Sequence, residues 1–158
     1  MKRAQFFSVE LVTVMLLFLT LFLTVLSIWN SQRTRLDKER LVYELELKAA
    51  NIGELLVESP GSPTNWNTAA VEQFGLADEY HVVNAYKFNN LLTMINNSYD
   101  YTRELLGVSK YGLVIVLEDF NEAVIISAGL ASGQNLAVWQ ENIVYEGRVL
   151  RLKVGVSG

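Results

Sequence analysis

The chain has no cysteine. Disulfides, thiolate chemistry and cysteine-based zinc sites are therefore excluded, while every cellular compartment stays open. Histidine is nearly absent as well, and His81 is the only one. It stands beside Asp78 and Glu79 without further ligands at metal-binding spacing, and reads as a surface histidine. Charge is sparse, at 19% of residues, with a formal balance of −4. No basic patch interleaved with aromatics occurs, which argues against nucleic acid as a partner. No Gly-x-Ser-x-Gly elbow, phosphate loop or dinucleotide fingerprint is present. Glu118, Asp119 and Glu122 cluster without the order of a calcium loop and read as a solvated turn. No metal, cofactor or catalytic constellation is expected, and the chain does not read as an enzyme.

What the chain has in excess is apolar residues, 51% of the total, and they are unevenly placed. Residues 11–32 carry no charge at all. A bilayer core needs about 20 apolar residues in a helix, and Leu11 to Trp29 supply 19. The polar members of that run are three threonines and one serine, whose hydroxyls can bond back to the helix backbone. Trp29 closes it where an indole suits the membrane interface. The exit, Ser27-Ile28-Trp29-Asn30-Ser31, is a poor cleavage site for an ordinary signal peptide, so the segment is expected to stay. The remainder has ordinary soluble composition and is long enough for a core.

The helix is expected to continue past the membrane to Glu58. Leu41, Leu45, Ala49, Ile52 and Leu56 share one helical face, and Arg35 and Glu39 form an i,i+4 pair of opposite sign. Ser59-Pro60-Gly61 stops the run. A helix from Phe6 to Glu58 would be roughly 80 Å long at about 1.5 Å per residue.

Residues 59–158 read as an α+β head. Pro60 to Trp66 is a turn-rich linker. Asn84 is an expected N-cap for a helix burying Phe88, Leu91, Leu92 and Ile95, and Ser98 a second cap, for a helix ended by Gly107. Asn96-Asn97-Ser98 is a glycosylation sequon between the two, with Asn96 as acceptor. Then the period changes to two. Strands are expected over Tyr111–Leu117, Ala123–Ala128, Asn135–Tyr145 and Arg148–Val156, with a loop over Gly129–Gln134 and a hairpin at Glu146-Gly147. The expectation is a four-stranded antiparallel meander packed on the long helix. Trp66 and Trp139 read as core residues.

The N-terminus reads Met1-Lys2-Arg3-Ala4-Gln5-Phe6-Phe7-Ser8-Val9-Glu10. A short basic leader, Lys2-Arg3, precedes the small residue Ala4. Gln5 to Glu10 resembles the archaeal class III signal peptide, in which cleavage falls before the apolar helix. The head resembles archaeal type IV pilin-like proteins in Ser59-Pro60-Gly61-Ser62-Pro63-Thr64-Asn65-Trp66, in Phe74-Gly75-Leu76-Ala77, and in Asn84 and Lys87. Tyr99 to Gly107, with Arg103-Glu104-Leu105-Leu106, completes a resemblance spanning most of the chain.

The resemblance implies a leader of residues 1–4, a helix over 5–58 with its membrane span at 11–29, and an extracellular head over 59–158. Cleavage between Ala4 and Gln5 puts Glu10 at the sixth mature position, one beyond the family's usual fifth. Cleavage after Gln5 restores the fifth. The resemblance gives Glu10 an assembly role, facing the new N-terminal amine of a neighbouring subunit. It also implies a prepilin peptidase, an assembly platform with an ATPase, membrane lipid and other pilin-like subunits as partners. Arg33, Arg35, Lys38 and Arg40 follow the span and by charge count would favour the opposite orientation. The leader motif is given precedence over that count. The alternative is a non-polymerising, membrane-tethered binding module.

Overall fold

The structure is a computed structural model that describes the backbone of residues 2–158 and the side chains of residues 10–158 other than Thr34. The chain divides into two compact units, Met1–Arg40 and Leu41–Gly158. One α-helix, α1 (Lys2–Glu58), belongs to both.

In the first unit α1 is the whole of the structure. It is the one helix among the described residues that is long and apolar enough to cross a membrane. The large apolar side chains described there, from Leu11 (70% exposed) to Trp29 (70%), all face outward. The ion pair between Arg35 and Glu39 forms, with Nε 3.0 Å from Oε1. Both groups are well exposed, so its contribution is small, under about 1 kcal/mol.

The second unit carries all the buried hydrophobic residues described, from Leu45 to Val156. The last turns of α1 bury Leu45, Ala49, Ile52, Leu56 and Val57, with Leu41 half-buried at the edge. The helix ends because Pro60 has no N–H to continue the ladder and Gly61 turns to a φ of 81°. Two further helices follow, α2 (Ala85–Asn97) and α3 (Tyr99–Leu105). Asn84 caps α2 as expected, its Oδ1 accepting from the Lys87 N–H at 3.0 Å. Ser98 stands at the start of α3 but makes no side-chain capping bond. Its carbonyl instead accepts from the Thr102 N–H and hydroxyl, each at 3.0 Å.

The sheet differs from the expected meander. It has six strands: β1 (Ala77–Glu79), β2 (Val82–Val83), β3 (Gly112–Glu118), β4 (Val124–Leu130), β5 (Leu136–Tyr145) and β6 (Arg148–Ser157). Their order is β1-β2-β5-β6-β3-β4, and the sheet is mixed because β2 runs parallel to β5. The four long strands are antiparallel, but as two hairpins side by side, with β6 beside β3. The alternation of β6 explains its central place. Leu150, Leu152, Val154 and Val156 are buried, and the opposite face carries Arg151 and Lys153, half-buried. Burying a side chain of that size stabilises by about 1.5–3 kcal/mol.

Residues 131–135 cross the ends of β3 and β6. The Ser132 N–H donates to Ser157 Oγ at 2.7 Å, and the Asn135 carbonyl accepts from the Gly158 N–H at 3.0 Å. A Cβ on Gly112 would lie 2.6 Å from the Ser132 nitrogen, so the crossing needs glycine there. β4 runs on to Leu130, into the stretch expected to be loop. At the β5–β6 turn both Glu146 and Gly147 take positive φ, 50° and 74°, as a two-residue hairpin of the twisted kind requires.

Candidate functional site

The exposed half of α1 is the part of the molecule whose chemistry its own fold does not use. Glu10 stands at its head, exposed. The side chains of Lys2, Arg3, Ala4 and Gln5 lie outside the described residues. The threonine hydroxyls bond back along the helix, as apolar surroundings require. Thr20 Oγ1 donates to the carbonyls of Leu16 and Leu17, each at 2.9 Å, and Thr24 Oγ1 to that of Thr20 at 2.7 Å.

A pattern that sequence reading missed is visible once the helix is continuous. Glu10, Thr13, Leu17, Thr20, Thr24, Ser27 and Ser31 follow one another at alternating steps of three and four residues. On a helix these positions form one stripe. It collects every hydroxyl and the one carboxylate of residues 10–31. Phe18 and Phe22, stacked with ring centroids 6.2 Å apart, lie on the opposite side. The signal was available as heptad spacing, but polar residues were read there only as exceptions within an apolar run.

In the second unit the short sequence words on which the family resemblance rests meet in space. Lys87, one turn into α2, is buried. Its Nζ donates to the carbonyls of Pro60 at 3.0 Å and Ala77 at 3.2 Å, and stands 3.8 Å from Asp78 Oδ1. Asn84 Nδ2 donates to both oxygens of that carboxylate, at 3.0 and 2.8 Å. Trp66 is fully buried, stacked edge-on to Phe74, and its Nε1 donates to the Gly75 carbonyl at 2.7 Å. A Cβ on Gly61 would lie 2.6 Å from the Trp66 ring. One ammonium and one indole thus tie the end of α1, the stretch before β1, and α2 together.

The segment Tyr99 to Gly107 is a second tie. The Tyr99 hydroxyl accepts from the Leu113 N–H at 2.7 Å and lies 2.8 Å from the Leu130 carbonyl, bridging β3 and β4 where they part. Arg103 stacks 4.7 Å over the Tyr99 ring and donates to the Tyr111 carbonyl at 2.8 Å. An ion pair joins it to Asp100.

The polar side chains buried among the described residues are Lys87, Thr102, Glu118 and Ser157, and each holds structure. Glu118 lies between Lys153, 2.5 Å away, and Arg151, at 3.3 Å. The Lys153 ammonium, and then Arg151, hold its carboxyl below the usual range against the opposing effect of burial. Its neighbour Asp119 accepts from the N–H groups of Ala123 and Asn121, at 2.9 and 2.8 Å, and those bonds hold its carboxyl low as well. The acidic turn is therefore tied into its own backbone. His81 is half-buried, at φ 59° in the β1–β2 turn, stacked on Tyr80 with centroids 4.0 Å apart. Among the described residues no three His, Asp or Glu side chains converge as metal ligands.

Asn96 is exposed, but on the last turn of α2 rather than in a loop. Trp139, expected in the core, is half-buried against it, over α1. Compared with known proteins, the chain matches no family model, no curated protein and no solved structure.

Proposed function

We propose that the protein is a pilin-like structural subunit, major or minor, of an archaeal type IV pilus-like surface filament. The observation that carries the reading is the two-faced use of α1. Its later turns are buried under a sheet, while its earlier turns expose an uninterrupted apolar surface with a single polar stripe. In lipid, a stripe of Thr and Ser allows close helix approach and interhelical contact. Glu10, at the head of the stripe, is costly in an apolar bundle unless it is paired, by a few kcal/mol on insertion scales. The amine created by leader removal, before Gln5 or before Phe6, is a partner of the right sign. Membrane lipid, sister subunits, a prepilin peptidase, and an assembly platform with its ATPase follow as partners, and the head faces outward from a single-pass anchor.

The structural rather than catalytic reading is supported by Lys87, Thr102, Glu118 and Ser157, the buried polar residues described in the head, each of which holds backbone or a neighbouring charge. The test is the mature N-terminus by mass spectrometry, combined with Glu10→Ala. Loss of four or five residues, and a Glu10→Ala chain that is trimmed but excluded from filaments, is the expected result. A chain keeping Met1 is the membrane-tethered binding module instead, and unchanged incorporation of Glu10→Ala removes the assembly role of that carboxylate.

A further inference from the structure

The solvent side of α2 is unusual in its chemistry. Its exposed residues are Tyr86, Asn89, Thr93, Asn96 and Asn97, and none is charged. Exposed helix faces ordinarily carry charge. Here the face is amide and hydroxyl, and the helix's one cation, Lys87, is turned inward. At its C-terminal end the face borders a cleft of about 340 Å³ lined by Thr68, Thr93, Met94, Asn97, Ser98 and Tyr101. Tyr101 is half exposed there. Uncharged hydrogen-bonding groups beside an exposed aromatic ring suit a neutral polyhydroxyl ligand such as a sugar.

Two residues of the sequon Asn96-Asn97-Ser98, Asn97 and Ser98, line this cleft, and the acceptor Asn96 precedes them on the helix. All three residues are exposed. The helix stops between the acceptor and the hydroxyl, because Ser98 leaves helical geometry at φ −141°, ψ 50°, and its side chain makes no capping bond. The acceptor amide is thus held on the last turn of the helix while the recognition hydroxyl stands on the non-helical residue between α2 and α3. We propose that Asn96 carries an N-linked glycan whose first sugars lie in the cleft against Thr93, Asn97 and Tyr101.

The donor is an oligosaccharide on a lipid phosphate or pyrophosphate carrier. A bond forms between Asn96 Nδ2 and the anomeric carbon of the first sugar. The bond from that carbon to the phosphate oxygen breaks, the lipid-linked phosphate leaves, and the amide gives up one proton. Nothing is oxidised or reduced. The inference rests on the outward-facing head proposed above, because such donors are consumed on the outer side of the membrane.

The test is mass spectrometry of the full chain purified from its native membrane, reading the intact mass and the peptide containing Asn96. The expected result is added mass in sugar units on that peptide. Asn96→Gln and Ser98→Ala each abolish it, while the conservative Ser98→Thr retains it. Tyr101→Ala, with the sequon intact, keeps the glycan but makes it more rapidly removable by glycosidase. An unmodified Asn96 in the native chain overturns the proposal. The same spectrum reads the N-terminus, so a trimmed chain with bare Asn96 sinks the glycan alone, and an untrimmed chain sinks the subunit reading separately.

Discussion

The indole of Trp139 on β5 occupies the space that a Cβ on Gly53 of α1 would need, with its Cε3, Cδ2 and Cζ3 the nearest atoms. A glycine inside a helix costs about 1 kcal/mol relative to alanine. Here that cost is offset by a close approach of helix and sheet that no other residue permits.

Gly53→Ala is therefore expected to destabilise the head by about 1–2 kcal/mol, as overpacking outweighs the gain in helix propensity. In a Trp139→Ala background the same change should stabilise, by up to about 1 kcal/mol. Denaturant unfolding of the four variants in detergent reads the cycle. Equal effects in both backgrounds would show that the ring does not set the helix's distance from the sheet.

Lys87→Met removes the donor shared by the Pro60 and Ala77 carbonyls and leaves two acceptors without it. A loss of about 2–4 kcal/mol is expected. Asp78→Asn should cost well under that, since the carboxylate is half exposed and 3.8 Å from the ammonium. Thermal unfolding of both variants decides the ranking, and an Asp78→Asn effect as large as that of Lys87→Met would contradict it.

The pH dependence of stability has a defined sign at each end. Glu118 has a folded pKa held below its ordinary value of 4.5 by Lys153 and Arg151. Its contribution is complete above the unfolded value and is lost as pH falls through the lower folded value. Tyr111 runs the other way. Hydrogen bonding to the Glu44 carboxylate, then burial and that carboxylate's charge, raise its pKa above 10.0, so its contribution holds below that value and fades as pH climbs through the folded one. Unfolding midpoints across pH should show Glu118→Gln flattening the acid limb alone and Tyr111→Phe the alkaline limb alone.

The polar stripe of α1 can be mapped without background substitutions, because the chain has no cysteine. Single cysteines at Thr13, Thr20 or Thr24 should form disulfide-linked dimers in native membranes. Cysteines at Met15, Phe18 or Phe22, on the far side, should not. Cross-linking spread evenly around the helix would mean that no seam exists.

How much of this was legible beforehand follows from the range of each signal. The buried face of α1 was plain from Leu45, Ala49, Ile52 and Leu56, because helical period is a local property. The strands from Gly112 onward were plain for the same reason, within a residue or two at most ends. Their order was not. Alternation in β6 says which side chains point inward, but nothing in it names β3 as a neighbour some forty residues earlier. β1 and β2 were too short to carry a period at all. The burial of Lys87 was not legible, since only the arrival of Pro60 and Ala77 supplies the carbonyls that allow it. That Trp66, Gly75, Pro60 and Lys87 meet in space could not be read from their places along the chain.

The position of β6 has a consequence for how the head comes into being. It is the strand furthest along the chain, yet it lies between β5 and β3, so each hairpin partner waits for it. Until it arrives, β3–β4 and β5 have no common neighbour, and the apolar flank of α1 has no complete surface to close on. Non-local pairings of this kind are the slow ones. A chain halted before Arg148 is therefore left with an open sheet and a bare helix, and maturation of the head waits on synthesis through β6.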